Sequence, residues 1–110
     1  MPIPLLPLWI NGAPVTATSP HAAEVFNPAS GRVIRKVPLA NRADVERAIA
    51  AAKNAFPGWR DTTPLRRARI LTRYRELMEE HKDELVALIT EEHGKTRLDA
   101  AGSLARGIEV

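Results

Sequence analysis

The chain has 110 residues, 45% of them hydrophobic and 26% charged, with a formal net charge of +3, which is ordinary material for one small globular domain and too little for a typical two-domain enzyme. The mildly basic balance permits acidic partners and demands none. There is no cysteine, so disulfides, thiolate metal sites and a nucleophilic thiol are excluded within these residues.

The opening stretch MPIPLLPL is apolar but short, Pro-broken and without the positive n-region of a signal peptide. No stretch approaches the roughly 18 apolar residues of a membrane span, so a cytoplasmic protein without a membrane partner is expected. In LWINGAPV, Asn11-Gly12 separates two apolar runs and predicts a tight hairpin pairing Leu8 to Ile10 with Ala13 to Thr16. Strands are predicted at Glu24 to Phe26 and Arg32 to Val37. Between them Asn27 suits a side-chain-to-backbone turn, Pro28 fixes φ and Gly31 suits a left-handed conformation. The strand region thus covers 8–40.

After Ala40 the hydrophobic period changes from two to about 3.6. A helix is predicted at about 42–56, with Asn41 as cap, Asp44 three residues on, and Val45, Ala48, Ile49, Ala52 and Phe56 on one face; Pro57-Gly58 is expected to end it. A second helix opens at Thr63-Pro64 and is predicted over 64–93, with a core face of Ile70, Leu71, Tyr74, Leu77, Met78, Leu85, Leu88 and Ile89. Such a helix of roughly 29 residues spans about 43 Å, against a radius of gyration of about 13 Å for 100 residues. Part of it is therefore expected to need a partner that the chain does not supply. A third helix is predicted over 96–110, with Thr96 and Asp99 in a capping-box-like arrangement and a stripe of Leu98, Ala101, Ala105 and Ile108. Gly102 and Gly107 each cost this helix up to about 1 kcal/mol, so it is expected to need packing. It is still running at Val110, without a cap.

Arg66, Arg69 and Arg73 share a helix face and would suit phosphates, but Glu76, Glu80 and Glu84 continue the stripe and Arg73 is placed to pair with Glu76. A solvated, salt-bridged face is expected rather than a nucleic-acid surface. His21, His81 and His93 lack metal-ligand spacing, and His81 suits a hydrogen-bonded structural role on the apolar side of its helix. The run His-Gly-Lys-Thr is not a phosphate loop, because Ile89 stands where the first glycine is required. Glu92, near the apolar face at a helix C-terminal end, runs against the helix dipole and is expected to be tied to a donor. Arg106 projects away from the third helix's apolar stripe, beside Gly102, where a guanidinium can hold a carboxylate with two parallel hydrogen bonds. Periodicity alone favours a solvated surface arginine at this position.

The runs LWINGAPV, VFNPASGRVIRKVP, ADVERAIAAAKNAFPGW and PLRRARILTRYRELMEEHKDELVALITEEHGKT, in this order, resemble the amino-terminal part of an NAD-dependent aldehyde dehydrogenase. The resemblance covers nearly the whole chain from Leu8. The run EEHGKTRLDAAGSLARGIEV is most similar to the CoA-acylating methylmalonate-semialdehyde dehydrogenase branch.

The resemblance implies an α/β architecture. An N-terminal hairpin and strands are followed by three helices, and residues 1–110 form an incomplete part of a Rossmann-like coenzyme-binding domain. It implies, for a complete enzyme, a cysteine thiolate that attacks a small-molecule semialdehyde, hydride transfer to NAD and release of the thioester by CoA, in a homo-oligomer, dimer or tetramer. The cysteine, the base and the NAD-binding turn have no counterpart among these residues. The chain is therefore expected to be a truncated piece, inactive alone, with no catalytic, cofactor-binding or metal-binding residue of its own. One family residue carries over: the arginine of the Arg-Gly-x-Glu motif, here Arg106, is implied to contact the substrate carboxylate. Ser103-Leu104-Ala105 departs from the bulkier or acidic residues the family places before that motif. The alternative expectation is a non-catalytic interaction module that docks on full-length aldehyde dehydrogenase subunits through its unfilled apolar faces.

Overall fold

The computed structural model describes residues 2–110. Strands β1 (Leu8–Ile10), β2 (Ala13–Val15), β3 (Ala22–Asn27) and β4 (Arg32–Pro38) precede helices α1 (Arg42–Asp61), α2 (Pro64–Glu80), α3 (Lys82–His93) and α4 (Arg97–Glu109). The chain forms two compact units. One comprises residues up to Phe26 together with Val33–Thr62; the other comprises Asn27–Arg32 and Thr63–Val110.

In the first unit β1 and β2 pair antiparallel, with Leu8 opposite Val15 and Ile10 opposite Ala13. Asn11 (φ 56°) and Gly12 (φ 74°) both adopt left-handed backbone, as a two-residue hairpin with right-twisted strands requires. β3 and β4 make a second two-stranded sheet. The apolar residues ahead of β1 strap its edge: Leu6 N–H donates to the Lys36 carbonyl and Lys36 N–H to the Pro4 carbonyl, both at 2.8 Å. Helix α1 starts with a full capping box. Asn41 Oδ1 accepts from Asp44 N–H at 3.0 Å and Asp44 Oδ2 accepts from Asn41 N–H at 3.3 Å.

Contrary to the expected stop at Phe56, α1 runs through Pro57 and Gly58 to Asp61. Proline already has a helical φ, and the lost N–H and the crowding of its ring against the preceding turn fall only four residues from the helix end. The last turn is secured otherwise. The Thr62 hydroxyl donates to the Gly58 carbonyl at 2.8 Å, and the Arg60 guanidinium sits 5.9 Å from the centre of the Phe56 ring.

In the second unit the turn 27–32 is held by Ala29 N–H donating to Asn27 Oδ1 at 3.0 Å and Gly31 N–H donating to the Asn27 carbonyl at 2.8 Å, with Gly31 at φ 67°. Thr63 caps α2, its hydroxyl accepting from Arg66 N–H at 3.4 Å. The helix expected over 64–93 is two helices, so four follow the strands rather than three. They part at His81 (φ −99°, ψ 17°), whose Nδ1 lies 3.1 Å from Glu84 Oε2. Asp83 and Glu84 then occupy the first turn of α3, where acids suit the positive end of a new helix. With the break, α2 is 17 residues long, about 26 Å, rather than the roughly 43 Å expected of a single helix.

Helix α3 ends at Gly94 (φ 80°), whose N–H donates to the Thr90 carbonyl at 3.0 Å. Helix α4 begins after Thr96, whose hydroxyl accepts from Asp99 N–H at 3.2 Å. The core lies between these helices: Val86, Ala100 and Leu104 are buried, flanked by Met78, Leu85, Ile89, Ala101 and Ile108. The buried stripe of α4 keeps Ala101 and Ile108 of the expected one but centres on Ala100 and Leu104. Leu98 is 83% exposed, whereas Ala100 is fully buried. A methyl side chain at the contact allows close helix approach, so the small residue faces α3 and the larger one is left outside. The expected core face of α2 is likewise open, with Ile70, Leu71 and Tyr74 at 54%, 60% and 60% exposure.

Candidate functional site

Arg106 is exposed on α4, on the side away from the buried stripe. Its guanidinium folds back one turn: Nη2 donates to Ser103 Oγ at 3.2 Å, and a Cβ placed on Gly102 would lie 3.7 Å from Nη1. Lys95 reaches the same hydroxyl. It stands in the Gly94-Lys95-Thr96 link between α3 and α4, is half-buried, and donates from Nζ to Ser103 Oγ at 2.8 Å. The left-handed Gly94 makes this reach possible, because it ends α3 abruptly and α4 starts three residues later, so that the lysine side chain comes back onto α4.

A hydroxyl has two acceptor lone pairs and one donor proton. Both acceptor directions of Ser103 are taken by cations, so its O–H is left as a donor. Neither Lys95 nor Arg106 has a carboxylate partner among the described residues. The three side chains therefore present donors and positive charge only, the complement of an oxyanion. No covalent or proton-transfer chemistry follows from this set; it can bind and orient a carboxylate.

The other polar centres are structural. Asp44 is 1% exposed, and its carboxylate accepts from Thr18 N–H at 2.9 Å, the Thr18 hydroxyl at 3.0 Å, Ser19 N–H at 3.4 Å and Asn41 N–H at 3.3 Å. The Thr18 amide, foremost among these donors, holds the Asp44 carboxyl below its ordinary pKa, against the opposing effect of burial. Arg73 lies between two acids, with Nη1 at 3.0 Å from Glu80 and 3.3 Å from Glu76. Those hydrogen bonds, Glu80's first, raise its already high pKa. The arginine stripe is thus neutralised where it meets the glutamates. Glu92 lies exposed at the end of α3. Among the described residues no group of three or more His, Cys, Asp or Glu side chains is arranged to hold a metal, and no helix is long and apolar enough to cross a membrane.

Of the residues singled out in sequence, the structure brings Arg106 together with Gly102, as its place on the helix suggested. Lys95 and Ser103 escape a reading by periodicity. The signal available was the pairing of a helix-ending glycine with a lysine immediately after it, eight residues before Ser103. An open groove of this unit, lined by Leu71, Tyr74, Arg75, Met78 and Ile108, is mainly apolar and includes none of the three.

Residues 15–110 match the aldehyde dehydrogenase family. The chain is 51% identical over 100 residues to the malonate-semialdehyde dehydrogenase of Pseudomonas aeruginosa, covering 91% of this chain and 20% of that one. It is 43% identical over 108 residues to the human acylating methylmalonate-semialdehyde/malonate-semialdehyde dehydrogenase of mitochondria, covering 98% and 20%. A Sinorhizobium meliloti structure described as a methylmalonate-semialdehyde dehydrogenase, solved in complex with NAD, superposes with a TM-score of 0.94 at 40% identity, over 97% of this chain and 22% of that one. The chain thus spans about a fifth of the length of the relatives it matches, and the strands and four helices described above are an N-terminal part of their fold. By sequence over most of its length and by backbone over nearly all of it, the chain belongs to the aldehyde dehydrogenase family.

Proposed function

We propose that the chain serves a dehydrogenase that oxidises malonate semialdehyde or its methyl derivative to an acyl-CoA with NAD and CoA, and that its own contribution is to bind the substrate's carboxylate through Arg106. The observation that carries this is an exposed guanidinium, folded against Gly102 and without a carboxylate partner, on a chain similar to enzymes named for carboxylated aldehydes. CoA as acyl acceptor rests on the word acylating in the human relative's name, and NAD on the complex of the Sinorhizobium meliloti protein.

The described residues do not fit a dinucleotide. Both sheets are two-stranded, and no parallel strand feeds a Gly-rich turn into a helix N-terminus. NAD and CoA are therefore assigned to residues outside 2–110, and without a cysteine this chain has no thiol to form an acyl-enzyme. Apolar side chains left open, such as Trp9, Ile49, Leu71 and Leu98, suit cover by the remainder of a dehydrogenase and by subunit contacts in a dimer or tetramer. A module docking on other subunits draws on those same faces and has no further observation in its favour. A cytoplasmic location belongs to the same proposal.

The test is a chimaera in which residues 8–110 replace the matching part of the Pseudomonas aeruginosa enzyme. A charge-assisted hydrogen bond to a carboxylate contributes about 1.5–3 kcal/mol. Arg106→Leu is expected to lower kcat/KM for malonate semialdehyde, relative to propanal, by about 10- to 150-fold. An unchanged ratio removes Arg106 from the substrate site.

A further inference from the structure

We infer that Ser103 is a second ligand of the carboxylate and that Lys95 is the positioning residue that aims it, so that this site reads the acid end of the substrate with a hydroxyl as well as a guanidinium. The inference deepens the assignment of Arg106 and rests on it.

The geometry supplies the reason. A serine hydroxyl on a helix ordinarily turns freely between water and its own helix carbonyls. Here Lys95 Nζ at 2.8 Å and Arg106 Nη2 at 3.2 Å occupy both acceptor directions of Ser103 Oγ. The O–H is thereby confined to the one remaining tetrahedral direction and has no acceptor among the described residues. Arg106 keeps further N–H groups for the same ligand. A carboxylate, with two oxygens and a negative charge, can accept from Ser103 O–H on one oxygen and from the guanidinium on the other. An amide or aldehyde offers one acceptor and no charge, so it gains less.

Lys95 adds its charge at hydrogen-bond range of Ser103 while its half-buried stem limits its own reach. It acts through the hydroxyl.

The test uses the same chimaera. It compares kcat/KM for malonate semialdehyde with that for propanal, and follows inhibition by malonate as a carboxylate that does not react. Loss of one hydrogen bond to a charged group changes binding by about tenfold. Ser103→Ala is expected to lower the semialdehyde-to-propanal ratio by about that factor, mainly through KM, and to weaken malonate inhibition similarly; Ser103→Thr, which keeps the hydroxyl, is expected to retain most of both. Lys95→Met is expected to have a smaller effect in the same direction, and Lys95→Met combined with Ser103→Ala to be no worse than Ser103→Ala alone. If Arg106→Leu collapses the ratio while Ser103→Ala leaves it intact, the present inference is overturned and the assignment of Arg106 stands. If neither changes it, both fall. Strictly additive effects of Lys95→Met and Ser103→Ala would show that Lys95 does not work through the hydroxyl.

Discussion

The two units of this chain are ordered by different physics. Around Asp44 the first unit is held by a polar knot: one covered carboxylate gathers Thr18, Ser19 and Asn41 and closes the cap of α1. The three apolar side chains that are buried among the described residues, Val86, Ala100 and Leu104, all lie in the second unit, between α3 and α4. A directional knot fails when one acceptor is lost, whereas an apolar contact fails in proportion to the volume removed. The two units should therefore answer differently to mutation and to acid.

The largest effect is expected from Asp44→Ala. It removes a buried acceptor shared by four hydrogen bonds, and each hydrogen bond to a charged group contributes about 1.5–3 kcal/mol. Amide hydrogen exchange should rise from Thr18 through the first turns of α1, with protection of α3 and α4 unchanged. Equal loss in both units would refute the division of labour. Acid sharpens the same contrast. Because the folded Asp44 carboxyl is held below its ordinary value of 3.8, the unfolded chain binds the proton more readily. The carboxylate's stabilisation is thus complete above that value and is lost as pH falls below it, through the folded pKa. Protection of the Thr18 and α1 amides, corrected for the intrinsic pH dependence of exchange, should fall below about pH 4, and Asp44→Asn should flatten that dependence.

Next comes Leu104→Ala in the apolar unit. A buried leucine truncated to alanine costs about 2–5 kcal/mol, and a small cluster that can collapse around the gap belongs at the lower end. Thermal unfolding should show this loss at every pH from 3 to 8, in contrast with Asp44. A loss that grew on acidification would mean that α3 and α4 also depend on a carboxylate.

The same contrast explains what was legible in the sequence. Local features came through, because each is decided within four residues: the Asn11-Gly12 hairpin, the Asn27 turn with Gly31, the Asn41 and Thr63 caps, and the stop at Gly94. Features decided by distant partners did not. Asp44 read as a helix-capping acid and gave no hint of Thr18, which is 26 residues away. Pro57 read as a helix end because the Thr62 hydroxyl that secures the last turn lies beyond it. On α4, Ala101 and Ile108 came through, but Leu98 did not, because hydrophobicity favours Leu98 whereas close packing on α3 favours Ala100. At the candidate site the place of Arg106 beside Gly102 was legible from helical spacing. Lys95 and Ser103 were not, since their meeting depends on the direction in which Gly94 turns the chain.

That turn supplies the smallest and most local prediction. Gly94 has φ 80°, and a non-glycine residue in left-handed backbone costs roughly 1–2 kcal/mol. A Cβ there would also lie 2.8 Å from Pro28 Cγ, which is closer than such contacts allow, so the turn 27–32 must yield as well. Gly94→Ala is therefore expected to lower stability by about 2 kcal/mol at most if Pro28 can move aside. Because the turn residues and α3 belong to the same unit, Gly94→Ala combined with Pro28→Ala should recover the part due to the clash and leave the backbone strain. No recovery would mean that the cost is wholly one of φ. Any displacement of Lys95 that accompanies the substitution should appear as a weaker preference for carboxylated substrate in the chimaera, linking a one-residue change in backbone to the reach of the side chain that follows it.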